Sequence, residues 1–388
     1  MVRGYTDAVY SELSPNRRNF VSIQNSRTTN SVGSTPLPVR TGYERVLAYR
    51  TDDLYATVSP MPGKVITKTA KVIVVEYEDG TQQEIEIGLR YGEWSGKTMP
   101  HEVITDLKLG DTFAKDVPIA WGKNFFTKDV LTGGLIYKPG ILARVILVDD
   151  EDTWEDSSAI HANFAKKLVT HRVDKRDIVV ESTQEIRNLL PIGTTVENES
   201  ILCTIYNPTE GSADVFSQDS LDSLKDFKAN SPQAKANGVI EDIETFYTGQ
   251  IEDMSETIQD IVEASNARTY KLNKALKKPA LDGRVDVGTR FSGTVMNLDM
   301  VLARVRILTS EDMDIGSKIV IAHQMKSVVG RKIVTRLETE AGEPIDVKFS
   351  NTSFSNRIVD SGNQLGTTGV LCVAATKAVI AAYRGTKK

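Results

Sequence analysis

Two lysines, Lys318 and Lys326, stand eight positions apart around the apolar run Ile319-Val320-Ile321, and Arg331, Lys332 and Arg336 follow closely. The chain as a whole carries a formal net charge of −5, so this is a local cationic site in an acidic protein. Ammonium groups on rigid, β-branched segments suit the holding of a polyphosphate or a nucleic-acid backbone as a point-charge target. Taken alone, the segment reads more simply as a strand pair with its lysines on the wet face; neighbouring segments shift that balance. The acidic run Asp149-Asp150-Glu151-Asp152-Thr153-Trp154-Glu155-Asp156 is the other chemically loaded stretch. Metal-dependent phosphoryl transfer needs clustered carboxylates. A lone acidic run is more often a solvated turn, and this one lacks the alternating spacing of a calcium loop. No phosphate-binding glycine loop, GxGxxG, HExxH or GxSxG string occurs.

These residues need a scaffold, and the sequence supplies mostly strands. From Arg45 onward, short β-branched runs alternate with turn signals: Ala48 to Val58, Lys64 to Tyr77, the Asp79-Gly80 dipeptide that favours a two-residue hairpin, and Gln83 to Ile87. Ile141 to Val148 is apolar on both faces apart from Arg144, the pattern of a central strand, and it delivers the chain into the acidic run. Residues 1–41 are polar and read as an irregular arm, and 212–233 as a loop. One long helix is expected, roughly Gln250 to Lys277, with apolar residues near a 3.6 period and an acidic-to-basic gradient that suits the helix dipole. Strands resume through Gly293-Thr294-Val295, Val301 to Leu308, the lysine segment and Asp346 to Phe349. A mixed apolar stretch, Gly369 to Tyr383, follows.

Composition narrows the classes. A chain of 388 residues, 40% hydrophobic and 26% charged, has room for two or three compact units and no bias to disorder. No run approaches the ~18 consecutive apolar residues of a membrane span, and no signal-peptide layout opens the chain, which points to a soluble, intracellular protein without a membrane partner. Cys203 and Cys372 are the only cysteines. They lack partners at metal spacing and read as small hydrophobes in a reducing compartment.

The segment Gly316-Ser317-Lys318 to Ala322-His323-Gln324-Met325-Lys326 resembles the active-centre segment of the β subunit of multisubunit RNA polymerases. There, Gly-Asp-Lys is followed by Arg-His-Gly, one variable residue and Lys-Gly; Lys318, His323 and Lys326 fall in register. Four further matches run in the family's chain order. Asn16-Arg17 and the following arm resemble its fork-loop region, and Thr41-Gly42-Tyr43-Glu44-Arg45 its Thr-Gly-Met-Glu-Arg. Trp154-Glu155-Asp156-Ser157 is similar to its aromatic-Glu-Asp-Ser, and Asn356-Arg357 to Gln364 to its Ser-Arg-Met-Asn-Ile-Gly-Gln. The match covers most of this chain but only part of a complete β subunit, and looks like the C-terminal β piece of a split-subunit polymerase of large bacteriophages.

The resemblance implies a β-rich mixed α+β fold. Residues 1–44 would form the fork-loop-like arm, 45–165 and 298–388 the hybrid-binding region with its double-psi β-barrel, and 166–297 a flap-like insertion carrying the long helix. It implies a nucleotidyltransferase subunit, inactive alone, in DNA-templated transcription. Lys318 and Lys326 would reach the RNA 3′ end and the incoming nucleotide's phosphates, and Arg357 the triphosphate. Glu155 and Asp156 would lie in the shell of a second magnesium ion, and His323, Arg17, Arg27 and Arg331 near substrate or nucleic acid. The Mg2+ itself would be bound mainly by a β′-like partner, since no Asn-Ala-Asp-Phe-Asp-Gly-Asp string occurs here. Implied partners are other β and β′ fragments, the DNA template, nascent RNA, NTPs and a promoter-specificity factor, in the cytoplasm of an infected bacterial host.

Departures from the pattern are specific. Ser317 replaces Asp, Ala322 replaces Arg, and Gln324 and Ser327 replace glycines that let the backbone turn tightly. Read only as residues, His323 is a hydrogen-bonded structural histidine, Trp154 core packing, and Glu155 with Asp156 a solvated turn. Two other classes stay in view: a non-catalytic scaffold or polymerase mimic, and an unrelated β-rich phage structural protein.

Overall fold

The computed structural model describes residues 2–4, 32–36, 42–94, 97–138, 140–208, 231–279, 281–321, 325–340, 342–356 and 360–386. Arg17, Arg27, His323, Arg357 and most of the expected 212–233 loop lie outside these residues. The architecture is β-rich mixed α+β, divided into two compact units: Met1–His171 with Glu311–Lys388, and Arg172–Ser310.

The first unit begins with β1 (Val2–Gly4), α1 (Tyr43–Val46) and β2 (Ala56–Val58). The expected strand from Ala48 shrinks to its last three residues because Asp52 closes a turn, its Oδ1 accepting from the Leu54 amide at 2.8 Å. Next come β3 (Gly63–Lys68), β4 (Val72–Tyr77), β5 (Gln82–Glu86), β6 (Gly88–Trp94), β7 (Lys97–Ile104), β8 (Thr112–Phe113) and β9 (Pro118–Gly122). They build a β5-β4-β3-β8 sheet and a β6-β7-β9-β2 array. The run read as one strand from Lys64 to Tyr77 is two, since the Thr69 hydroxyl accepts from the Val72 amide at 3.0 Å and turns the chain. The Asp79-Gly80 hairpin forms, with Gly80 at φ 81°, but its ladder ends at Glu76 and Gln82, so the connection is longer than two residues. A β10 (Phe126–Lys128) to β11 (Leu135–Tyr137) hairpin, β12 (Val145–Leu147), β13 (Ser157–His161) and α2 (Ala162–Ala165) complete this part.

The second unit contains β14 (Thr170–Glu181, its first two residues in the first unit), β15 (Glu185–Arg187), β16 (Thr195–Val196), β17 (Thr204–Tyr206) and β18 (Gly238–Tyr247). After these come α3 (Glu256–Ala275), β19 (Arg290–Phe291), β20 (Thr294–Val295) and β21 (Met300–Glu311). The helix α3 is the core of the expected Gln250 to Lys277 helix and buries Ile258 and Val262 against Ile243, Tyr247 and their neighbours. Cys203 is fully buried in the same core, which pushes its thiol up to about 11.

The chain returns to the first unit with β22 (Lys318–Ile321), β23 (Met325–Ile333), β24 (Val347–Phe349), α4 (Asn351–Asn356) and α5 (Asp360–Thr386). A six-stranded mixed sheet runs β1-β22-β23-β13-β24-β12. One face buries Ile160, Ile319, Ile321, Met325, Val329, Val347 and Phe349, each such side chain worth roughly 1.5–3 kcal/mol of burial. The stretch Ile141 to Val148 is not a central strand: only β12 forms, at the sheet's edge, and Ile146 and Leu147 are exposed.

The C-terminal stretch is a second long helix, α5, which the glycines of its first half (Gly362, Gly366, Gly369) disguise in the sequence. Its segment Gly366–Gly385, 20 residues of mean hydropathy 1.4 with none buried, is long and apolar enough to cross a membrane by length and composition. Thr376 and Lys377 interrupt the apolar run, so counting consecutive apolar residues misses it.

Candidate functional site

The lysines sit on the face of the six-stranded sheet opposite its core, and strand alternation explains why. In β22 and β23, Ile319, Ile321, Met325, Ser327 and Val329 are buried, while Lys318, Val320, Lys326 and Val328 point the other way. Lys318 pairs with Val328 and Val320 with Lys326, so the two lysines are diagonal neighbours roughly 7–8 Å apart, with their Cβ atoms somewhat closer. Flexible four-carbon stems let two ammonium groups at that spacing converge on one polyphosphate. At the start of this strand pair, Gly316 takes φ 83°, a conformation only glycine adopts freely.

The acidic run folds against that strand pair. In the parallel β13–β23 ladder, Ser157 pairs with Val328, and the ladder then shifts by one residue at Gly330. Any side chain at Gly330 would collide with Ser157, whose Oγ lies 2.3 Å from the Cβ position. The Asp156 carbonyl, one step before β13, accepts from the Val328 amide at 3.1 Å and the Ser327 hydroxyl at 2.7 Å. Ser327 therefore sits in regular strand and uses its hydroxyl to hold the loop beside Lys326. The Ser353 hydroxyl of α4 donates to the Glu155 carbonyl, and Glu155 takes φ 53°, a left-handed conformation costly for a non-glycine residue. Trp154 is 77% exposed, so the expected core role is overturned: it lies among charged residues in the loop before β13 and not on a buried strand.

Loop and sheet are joined by ions. Lys348 of β24 reaches Asp150 at 2.6 Å and Asp152 at 3.0 Å, and Arg331 of β23 reaches Asp152 at 2.7 Å and Glu151 at 3.4 Å. Asp149 accepts from the Thr352 amide at 3.1 Å and the Ser350 hydroxyl at 2.8 Å, which hold its carboxyl below the usual range. The Lys348 ammonium does the same to Asp150. At Asp152 burial works upward, but hydrogen bonds from Arg331 and Lys348 outweigh it and the carboxyl stays low. All three remain ionised through neutral pH.

Of the expected site residues, the structure brings together Lys318, Lys326, Glu155, Asp156 and Arg331. Arg331 is engaged by the loop carboxylates, so its expected contact with nucleic acid requires it to exchange partners. The helix α4 touches Glu155 through Ser353. Sequence reasoning missed Lys348. Its signal was a lone cation between two apolar residues in Val347-Lys348-Phe349, the alternation that puts it on the lysine face. Neither a protein-family model nor a curated protein matches the sequence.

Proposed function

We propose that this chain is the C-terminal β part of a split, multisubunit DNA-directed RNA polymerase of the kind large bacteriophages encode, acting in the infected host's cytoplasm. Residues 45–165 and 298–388 then contribute the hybrid-binding double-psi β-barrel, and 166–297 the flap. One observation carries the reading: the Trp154-Glu155-Asp156-Ser157 and Lys318–Lys326 segments, some 160 residues apart in sequence, meet through the Asp156 carbonyl and Ser327.

Lys318 and Lys326 neutralise charge at the RNA 3′ end and at the transferring phosphoryl group, where fixed cations lower the barrier most. Arg357 forks the triphosphate. Glu155 and Asp156 would orient groups around a second magnesium ion, while the first is held by a β′-like partner, because the chain carries no Asn-Ala-Asp-Phe-Asp-Gly-Asp string. When bound, magnesium activates the attacking hydroxyl and stabilises the leaving oxygen.

The test is reconstitution with the neighbouring β and β′ fragments, followed by magnesium-dependent RNA extension on a primed template. Lys318→Ala with Lys326→Ala is expected to lower extension by at least about 10²-fold with assembly intact. Unchanged extension sinks the catalytic role. Failure of the wild-type chain to assemble with any β′ fragment favours an unrelated β-rich protein.

A further inference from the structure

Arg331 and Lys348 are 17 positions apart in sequence and lie on strands that do not touch, yet they meet at one carboxylate. The sheet order β23-β13-β24 explains this. Ala159 of β13 pairs with Arg331 on one side and with Lys348 on the other, so the three side chains form a row on the lysine face. Ala159 is the smallest residue with a side chain and is fully buried, which leaves space for both cations to lean toward Asp152. The Asp152 side chain is only 8% exposed and receives Arg331 on Oδ1 and Lys348 on Oδ2. From Asp152 the chain has three residues to Asp156, and two hydrogen bonds fix that interval: Ser157 Oγ donates to the Asp152 carbonyl at 3.2 Å, and the Ser157 amide to the Trp154 carbonyl at 3.0 Å.

We propose that Asp152, clasped by Arg331 and Lys348 across Ala159, is the positioning residue that sets Glu155 and Asp156 beside Lys326. The clasp acts through geometry. It pins the start of a tight turn whose end carries the left-handed Glu155 and the Asp156 carbonyl. With both ends fixed, the turn holds a conformation that Glu155 would otherwise leave. This inference rests on the polymerase reading for its catalytic consequence and on the ion pairs alone for the clasp itself.

Two measurements separate those layers. Amide hydrogen exchange on the full chain reports the clasp at residues 153–158, and the reconstituted polymerase reports its consequence through the KM for NTP and kcat separately. Asp152→Asn and Lys348→Met are expected to speed exchange at these amides at least about tenfold, and Lys348→Arg to restore protection. In the polymerase, the same two variants raise KM several-fold, and Lys348→Arg returns it toward wild type. A merely structural role would lower the active fraction, and so kcat, without moving KM. Unchanged exchange overturns the clasp. Faster exchange with unchanged KM overturns the positioning role while leaving the clasp in place. A wild-type assembly that makes no RNA overturns the polymerase reading and the positioning role with it, and the exchange result then stands as a property of the loop alone.

Discussion

Both units place cations on a sheet, but they deliver the countercharge differently. In the second unit it comes from neighbouring strands. Arg306 of β21 reaches Glu244 of β18 at 2.7 Å, and Arg304 of β21 forks Asp177 of β14 at 2.7 and 2.9 Å, with its guanidinium 5.5 Å from the rings of Phe246 and Phe291. In the first unit, Arg331 and Lys348 receive their carboxylates from a loop. A strand-borne partner moves only if the sheet breaks, whereas a loop-borne one can yield while the sheet stays whole. Charge in the second unit is therefore tied to the integrity of its sheet, whereas the Arg331 and Lys348 pairs can open with the loop.

The largest effect tests that contrast directly. Arg304 and Asp177 are 10% and 14% exposed, and the guanidinium keeps the aspartate low against the upward pull of burial. Arg304→Met leaves Asp177 without its main partner, and removing one member of a buried pair typically costs about 3–5 kcal/mol. Arg331 is 56% exposed and its loss leaves Asp152 still paired with Lys348, so Arg331→Met should lower the urea midpoint far less than Arg304→Met. Equal losses in the two variants would break the comparison.

A second contrast lies in pH. All four histidines fall within the sequence of the first unit. His101 is 5% exposed, stacked on Phe125 at 5.5 Å and edge-on to Tyr55 at 5.1 Å, with its Nδ1 buried and without a hydrogen-bond partner. Burial, helped by nearby Arg90, pushes its pKa down from 6.5 to about 4. The unfolded chain takes up a proton below pH 6.5 that the folded chain refuses until about pH 4, so stability falls as pH drops across that window. The full effect is on the order of 3 kcal/mol. His101→Phe should flatten urea midpoints measured from pH 7 to 4.5. Some slope will persist from His171, which burial also lowers. An unaltered slope would show that His101 is not the source.

These contrasts mark what the sequence could disclose. The lysine face was legible because alternation in Lys318-Ile319-Val320-Ile321 is a local pattern that needs only a strand. Lys348 was not, because its partners Asp150 and Asp152 lie 198 and 196 residues away and only the sheet order joins them. Ile141 to Val148 misled because an edge strand can be as apolar as a central one, and position in a sheet is a tertiary property. The helix α5 was hidden by glycines whose propensity argues against it, and Trp154 by the habit of aromatic residues to be buried.

The smallest expected effect sharpens the same comparison with one atom. Ser265 in α3 is 4% exposed, and its Oγ accepts from the Thr245 amide of β18 at 3.1 Å. Ser265→Ala strands a buried donor, at a cost of roughly 1–3 kcal/mol. Ser327 is fully buried too, but its hydroxyl donates to a carbonyl, that of Asp156, which also accepts from the Val328 amide at 3.1 Å. Ser327→Ala leaves that oxygen satisfied and removes its own donor, so the loss should stay below about 1 kcal/mol. Urea midpoints of the two variants measure the difference. If Ser327→Ala proves the costlier, the loop is as integral to its sheet as the second unit's strands are to theirs, and the distinction between loop-borne and strand-borne contacts fails.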